Sequence, residues 1–105
     1  MAIVGTGMSR LGDLESGHGC YYPVPIVSSV GTVLVNKIFA ASKGDVTATH
    51  TCPKKPTHID QISTGSLTVL INKRPSARIG DILLSLGPGG PAVMAQGSHS
   101  VLAGG

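Results

Sequence analysis

One heptad, Pro75-Ser76-Ala77-Arg78-Ile79-Gly80-Asp81, occurs in three registered copies and limits the chain to a fold built from repeats. Phe39-Ala40-Ala41-Ser42-Lys43-Gly44-Asp45 stands 36 residues earlier, and Gly7-Met8-Ser9-Arg10-Leu11-Gly12-Asp13 stands 68 residues earlier. Gly-Asp closes all three. An apolar run leads two of the copies in register, Val33-Leu34-Val35-Asn36-Lys37 and Val69-Leu70-Ile71-Asn72-Lys73. Gly65-Ser66 opens the second run, and Gly97-Ser98-His99-Ser100-Val101 repeats that opening near the C-terminus. Residues 1–105 are therefore expected to form a single repeat-built domain.

The period of the apolar residues is not helical, since no window sustains a 3.6-residue repeat. Fifteen Gly and seven Pro lie without a triplet period and read as turns between short strands. The expected strands are a lead over 1–13, a hairpin of 32–36 with 38–43, a second of 67–72 with 74–79, and a last strand at 99–103. Both hairpins turn at Asn-Lys, where Asn tolerates positive φ and Lys is a poorer choice than Gly. Segments 14–32, 46–64 and 82–96 read as loops. Rigid Pro23-Val24-Pro25, Cys52-Pro53 and Lys55-Pro56 lie in the first two, and Gly87-Pro88-Gly89-Gly90-Pro91 keeps the third from being helical. The fold class is all-β.

Size makes the stability of such a domain a problem. A chain of 105 residues with no Trp, one Phe and two Tyr lacks the large rings that contribute heavily to core burial. Its charged fraction of 12% argues against disorder. The net charge of +3 comes with one adjacent basic pair, Lys54-Lys55, read as a solvated loop face, so nucleic-acid binding has weak support and is not expected. The N-terminus lacks the pattern of a secretory signal, and no run nears the roughly 18 apolar residues of a bilayer span. The chain is expected to be made in the cytoplasm, where two cysteines read as thiols or ligands rather than as a disulfide.

Those cysteines have company. His18-Gly19-Cys20 and His50-Thr51-Cys52 each begin five residues after the Asp of their repeat, and His58 follows the second. The third copy has Leu86 and Pro88 at the matching positions and supplies neither residue type. If the repeats surround a pseudo-threefold axis, equivalent positions converge on it. His18, Cys20, His50, Cys52 and His58 are then five candidate ligands for a four-coordinate ion, and mixed imidazole and thiolate suit tetrahedral Zn(II). His99 lies outside the repeated positions and reads as a strand-surface residue. Arg10 and Arg78 read as turn-fixing, and Asp13, Asp45 and Asp81 as caps on backbone donors. Of the five acids, Glu15 and Asp60 have no repeat role. No acid pair, Ser-His-Asp set or phosphate-cradling motif emerges, so no enzyme is expected.

Pro75-Ser76-Ala77-Arg78-Ile79-Gly80-Asp81 stands where PAAR-repeat proteins have Pro-Ala-Ala-Arg-x-Gly-Asp. With Gly65-Ser66, Val69-Leu70-Ile71-Asn72, the weaker copies and Gly17-His18-Gly19-Cys20, the whole chain resembles that family, whose members tip the spikes of type VI secretion systems and contractile phage tails. The resemblance implies a small cone of three short-stranded β-repeats, with one structural Zn(II) near the apex held by three His and one Cys. Carried over, these are His18, His50, His58 and Cys52, with Cys20 the repeat-equivalent rival. It departs from the family in the middle copy, which lacks the Arg, in the Asn-Lys turns, and in Leu86 where a third-loop Cys is common.

The resemblance further implies a monomer seated on the C-terminal tip of a trimeric VgrG-type or phage tail-spike β-helix. Base contacts are expected from residues such as Val33, Val35, Val69 and Ile71. The tip would be delivered outward by the injection machine or virion and touch a target membrane transiently. An adaptor that attaches effector cargo is the alternative function. A small zinc enzyme is a third, which needs an open metal position that five available ligands argue against.

Overall fold

The computed structural model describes residues 6–53, 55–87 and 90–104. The start of the expected N-terminal strand, one residue of the Lys54-Lys55 pair and the centre of the Gly-Pro-rich third loop lie outside them. Among the described residues there is no helix, and the fold is all-β. Nine short strands occur among these residues, in chain order: β1 Thr6–Gly7, β2 Leu34–Val35, β3 Ile38–Phe39, β4 Asp60–Ile62, β5 Leu70–Ile71, β6 Arg74–Pro75, β7 Ile82–Ser85, β8 Ala92–Val93 and β9 Leu102–Ala103.

The three heptads close a ring. The backbone N–H of Ser9 donates to the carbonyl of Ala77, that of Ala77 to Ala41, and that of Ala41 back to Ser9, at 2.9, 3.0 and 2.9 Å. Flanking bridges obey the same rotation: Met8 pairs with Arg78, Arg10 with Ala40, and Ser42 with Ser76. This cycle is a pseudo-threefold axis drawn in hydrogen bonds. Ser9, Ala41 and Ala77 are fully buried around it, which explains why the third heptad position carries only small side chains.

Below the ring lies a layer of hairpins. β2 pairs antiparallel with β3 and β5 with β6, each across an Asn-Lys turn as expected. Both turn residues take positive φ, 53° and 68° at Asn36 and Lys37, 48° and 67° at Asn72 and Lys73. These values fit the right-handed twist of tight hairpins. The third hairpin has no turn: the chain's two ends make it, β1 pairing with β9 so that Gly7 faces Leu102 and Thr6 faces Ala103. In this way the terminal copy of the Gly-Ser opening completes the circle. Val35, Ile71 and Ala103 occupy one repeat position and are buried with Met8 and Ala40 in an apolar cluster. Leu34, Leu70 and Leu102 occupy the next and face outward, 58%, 57% and 46% exposed. The sequence-based docking residues are thus corrected in part: pleat alternation turns Val35 and Ile71 inward and presents their neighbours.

Each heptad ends in one turn design. Gly12, Gly44 and Gly80 adopt φ of 91°, 98° and 92°, a region that glycine alone enters without strain. The carboxylates of Asp13, Asp45 and Asp81 accept the backbone N–H of Arg10, Ser42 and Arg78 at 2.8, 2.8 and 2.7 Å. Arg10 and Arg78 clamp their own Asp through Nε at 2.9 and 3.1 Å. The middle copy, which has Ser42 there, borrows Arg74 from the third repeat: its Nη2 reaches Asp45 at 3.3 Å. These contacts give the acids and arginines the structural roles expected of them.

Above the ring, two of the expected loops contain strands. β4, β7 and β8 form an antiparallel sheet in the order β4-β7-β8 inside segments 46–64 and 82–96. The segments return to the axis because Ile26, Ile62 and Met94 donate their backbone N–H to the carbonyls of Asp13, Asp45 and Asp81. These three side chains are buried with Ala41, Ala77, Leu83 and Ala92 in a second apolar cluster. Bridges then pair Glu15 with Met94, Thr47 with Ile26, and Leu83 with Ile62, again in rotation. Glu15, Thr47 and Leu83 are equivalent and all buried. The axis therefore passes from apolar layers into one with a buried acid.

Candidate metal centre

Polar side chains replace the core beyond that layer. His18 pairs backbone-to-backbone with Tyr21 through a tight turn, its N–H donating to the Tyr21 carbonyl at 2.9 Å and its carbonyl accepting the Tyr21 N–H at 2.9 Å. His50 and His58 face each other across an antiparallel bridge. Two repeat loops thus deliver three imidazoles to one place. Their ring centroids form a near-equilateral triangle, 5.0 Å for His18–His50, 5.1 Å for His18–His58 and 5.0 Å for His50–His58. Tyr21 covers the triangle, its ring 4.4 Å from that of His58 and its hydroxyl donating to the Pro56 carbonyl at 2.7 Å.

Asp60 closes the group from below. It sits at the repeat position held by Val24 and Ala92 in the other copies, two residues before the buried Ile62. Its Oδ1 lies 3.1 Å from His58 Nε2 and accepts the Ser85 hydroxyl at 3.1 Å. Its Oδ2 lies 3.5 Å from His18 Nε2 and 3.5 Å from His50 Nε2, and has no hydrogen-bond donor. His18 Nε2 and His58 Nε2 are 3.2 Å apart. One donor atom from each of His18, His50, His58 and Asp60 fits within a span of 4.8 Å.

These separations fit a metal. Four ligands placed tetrahedrally at about 2.0–2.1 Å from an ion stand about 3.3–3.4 Å from one another. The orphaned atoms point the same way: Asp60 Oδ2, Glu15 Oε2 and both nitrogens of His50 are buried without a partner in the protein. Leaving such atoms unpaired is costly, and a cation among them satisfies several at once. The group can therefore bind a metal ion through three imidazoles and a carboxylate.

Electrostatics around it are tense. Glu15, fully buried, accepts the backbone N–H of Gly17 at 2.8 Å and of Val24 at 3.2 Å, and its Oε1 stands 3.3 Å from His50 Nε2. Burial, and secondarily the neighbouring Asp60 carboxyl, push its pKa up to about 7. Burial lowers that of His50, the Asp60 charge opposing the effect and the neighbouring His18 and His58 adding to it. The Gly90 amide lies 3.3 Å from His18 Nδ1 and donates to it. An ion on Nε2 would shift the ring proton to Nδ1 and displace that contact.

Of the residues singled out in the sequence, His18, His50 and His58 converge. Cys52 does not join them. Cys20 and Cys52 form a disulfide, with Cα atoms 5.7 Å apart, correcting the expectation of free thiols or a thiolate ligand. The repeat explains the change: equivalent His-x-Cys units brought to one axis place their cysteines beside each other as well as their histidines, within bridging distance. The third repeat has Leu86, exposed, at the histidine position and supplies no imidazole, and His99 is exposed. Asp60, Glu15 and Tyr21 were not assigned to the site from the sequence. The available signal was that Glu15 and Asp60 were the two acids without a Gly-Asp turn to cap.

The PAAR motif family matches residues 16–84, two thirds of the chain and all of the segments that build the histidine triangle. The chain belongs to the PAAR family. No individual curated protein matches it. PAAR proteins are structural spike-tip proteins of contractile injection systems, associating with a spike partner, and not a family of enzymes. The rotational hydrogen-bond ring is the architecture that the three PAAR heptads encode here.

Proposed function

We propose that this PAAR protein is the metal-stabilised tip that caps a trimeric β-helical spike of the VgrG or phage tail-spike type and helps it pierce a target envelope. The observation that carries this reading is the threefold placement of Leu34, Leu70 and Leu102. One outward leucine recurs in each hairpin, so a monomer presents an apolar ring with the symmetry of a trimer. The histidine end, whose centre is filled by imidazoles and carboxylates in place of aliphatic side chains, holds one structural Zn(II). Cross-linked loops and a bound ion stiffen that end against the load of penetration. The protein is made in the cytoplasm, joins the spike as a monomer on a trimer, and leaves with it.

The test is light scattering of the purified chain mixed with its trimeric spike. One chain per trimer is expected, and Leu34→Glu/Leu70→Glu/Leu102→Glu should abolish the complex while leaving the fold intact. A complex indifferent to the three charges would remove the docking reading.

A second reading, attachment of effector cargo, draws support from the third repeat alone. Ile82, Leu84 and Val93 are 42%, 50% and 40% exposed on the outer face of the β4-β7-β8 sheet. That flank breaks the threefold pattern and suits a single partner bound without a covalent link. Leu84→Glu should release a co-purifying effector and spare the spike complex.

A further inference from the structure

We propose that the fourth metal ligand of this tip is the Asp60 carboxylate, with Glu15 as a buried charge-balancing acid, and that the two cysteines form a lock separate from the metal. The inference rests on the metal-stabilised tip reading and specifies its ligand set.

Three observations carry it. First, Asp60 Oδ2 is fully buried, lacks a hydrogen-bond donor and stands 3.5 Å from both His18 Nε2 and His50 Nε2, which is where a fourth tetrahedral vertex belongs. Second, the Cys52 sulfur is bonded to Cys20 and is not available as a thiolate. Third, charge closes only with the acids. Three neutral imidazoles leave a dication uncompensated; one carboxylate leaves a net positive charge; Asp60 and Glu15 together neutralise it. A buried unbalanced charge is strongly disfavoured, and Glu15, with Oε1 3.3 Å from His50 Nε2, is close enough to serve. At the two equivalent positions of the third repeat, apolar Leu83 and Ala92 stand where Glu15 and Asp60 would be. The acids are confined to the loops that carry the histidines.

The consequence is a tip indifferent to redox conditions at its metal. Carboxylate and imidazole keep their donor atoms in reducing and oxidising compartments, whereas a thiolate is lost on oxidation. The disulfide between loops 14–24 and 46–60 then adds a covalent tie under oxidising conditions without taking a ligand away.

The test is zinc affinity of the full chain by competition with a chromophoric chelator. Wild type, Asp60→Asn and Cys20→Ser/Cys52→Ser are measured under reducing conditions, where a thiolate could compete. Loss of an outer partner of a metal ligand alone weakens binding about 10–100-fold. Asp60→Asn is therefore expected to lose more than about 100-fold, and the cysteine variant to stay within about threefold of wild type. Zinc kept by Asp60→Asn and lost by the cysteine variant would overturn the assignment while leaving the metal reading in place. A folded wild type that binds no zinc would overturn both. If Asp60→Asn does not fold, the Co(II) form of reduced wild type decides. Tetrahedral d–d bands without a thiolate-to-cobalt charge-transfer band support Asp60, and a thiolate band contradicts it.

Discussion

At the hairpin end of the axis the three repeats send Val35, Ile71 and Ala103 to one buried position, whereas near the histidine end equivalent registers send Glu15, Thr47 and Leu83. Both ends obey the same rotational hydrogen bonding. They differ in what fills the centre. The hairpin end buries aliphatic side chains, and its stability follows the area they remove from water. The other end buries His50, His58, Asp60 and Glu15, whose desolvation is unfavourable unless something answers their charges and lone pairs. The apolar centre keeps the threefold symmetry, whereas the polar centre here breaks it, the third repeat offering Leu83, Ala92 and an exposed Leu86.

That contrast can be broken experimentally, most severely at the histidine end. A structural zinc supplies roughly 10–16 kcal/mol of apparent binding free energy in small zinc domains. Stripping the metal with a chelator should therefore lower thermal stability by several kcal/mol and open the two histidine loops first. Hydrogen exchange would read this as lost protection at residues 14–24 and 46–60, with the amides of Ser9, Ala41 and Ala77 still protected. Uniform loss across both ends would show that the two regions are not separable.

The cross-link comes next. Cys20 and Cys52 are 32 residues apart, a loop for which chain-entropy arguments give about 2–4 kcal/mol. Reduction, or Cys20→Ser/Cys52→Ser, should lower stability by that amount in denaturant titrations of protein oxidised beforehand, with the metal still bound. At the ring between the two ends, Ala77→Leu should cost about 1–3 kcal/mol, because a fully buried position on the axis has no room for three more carbons. The smallest effect belongs to the hairpins. Lys37 and Lys73 sit at φ of 68° and 67°, so Lys37→Gly or Lys73→Gly should each stabilise by about 0.5–1 kcal/mol, visible as a raised unfolding midpoint.

The hairpins, the Gly-Asp turns and the all-β class were legible in the chain because they depend on local rules: positive φ at Asn-Lys, a caged Asp three residues after its turn begins, and a pattern repeated in register. The convergence of His18, His50 and His58 was legible for the same reason, since equal offsets from equivalent turns imply equal places around an axis. The strands β4, β7 and β8 were read as loop because their pairing is between repeats and their Gly and Pro neighbours dominate the local signal. Asp60 escaped assignment because its meaning is set by His18 and His50, 42 and 10 residues away along the chain, as much as by nearby His58, and not by a motif of its own. The cysteines were misread for a compartmental reason: where a protein is made does not fix which sulfur pairs its fold brings together.

A metal ion, and not an apolar core, is proposed to organise the histidine end. Elemental analysis of folded wild-type protein beside His50→Ala tests it most directly. About one zinc per chain in wild type, falling to near zero in the variant, is the predicted result. A wild-type protein that is folded, cooperative on unfolding and free of metal would contradict the account.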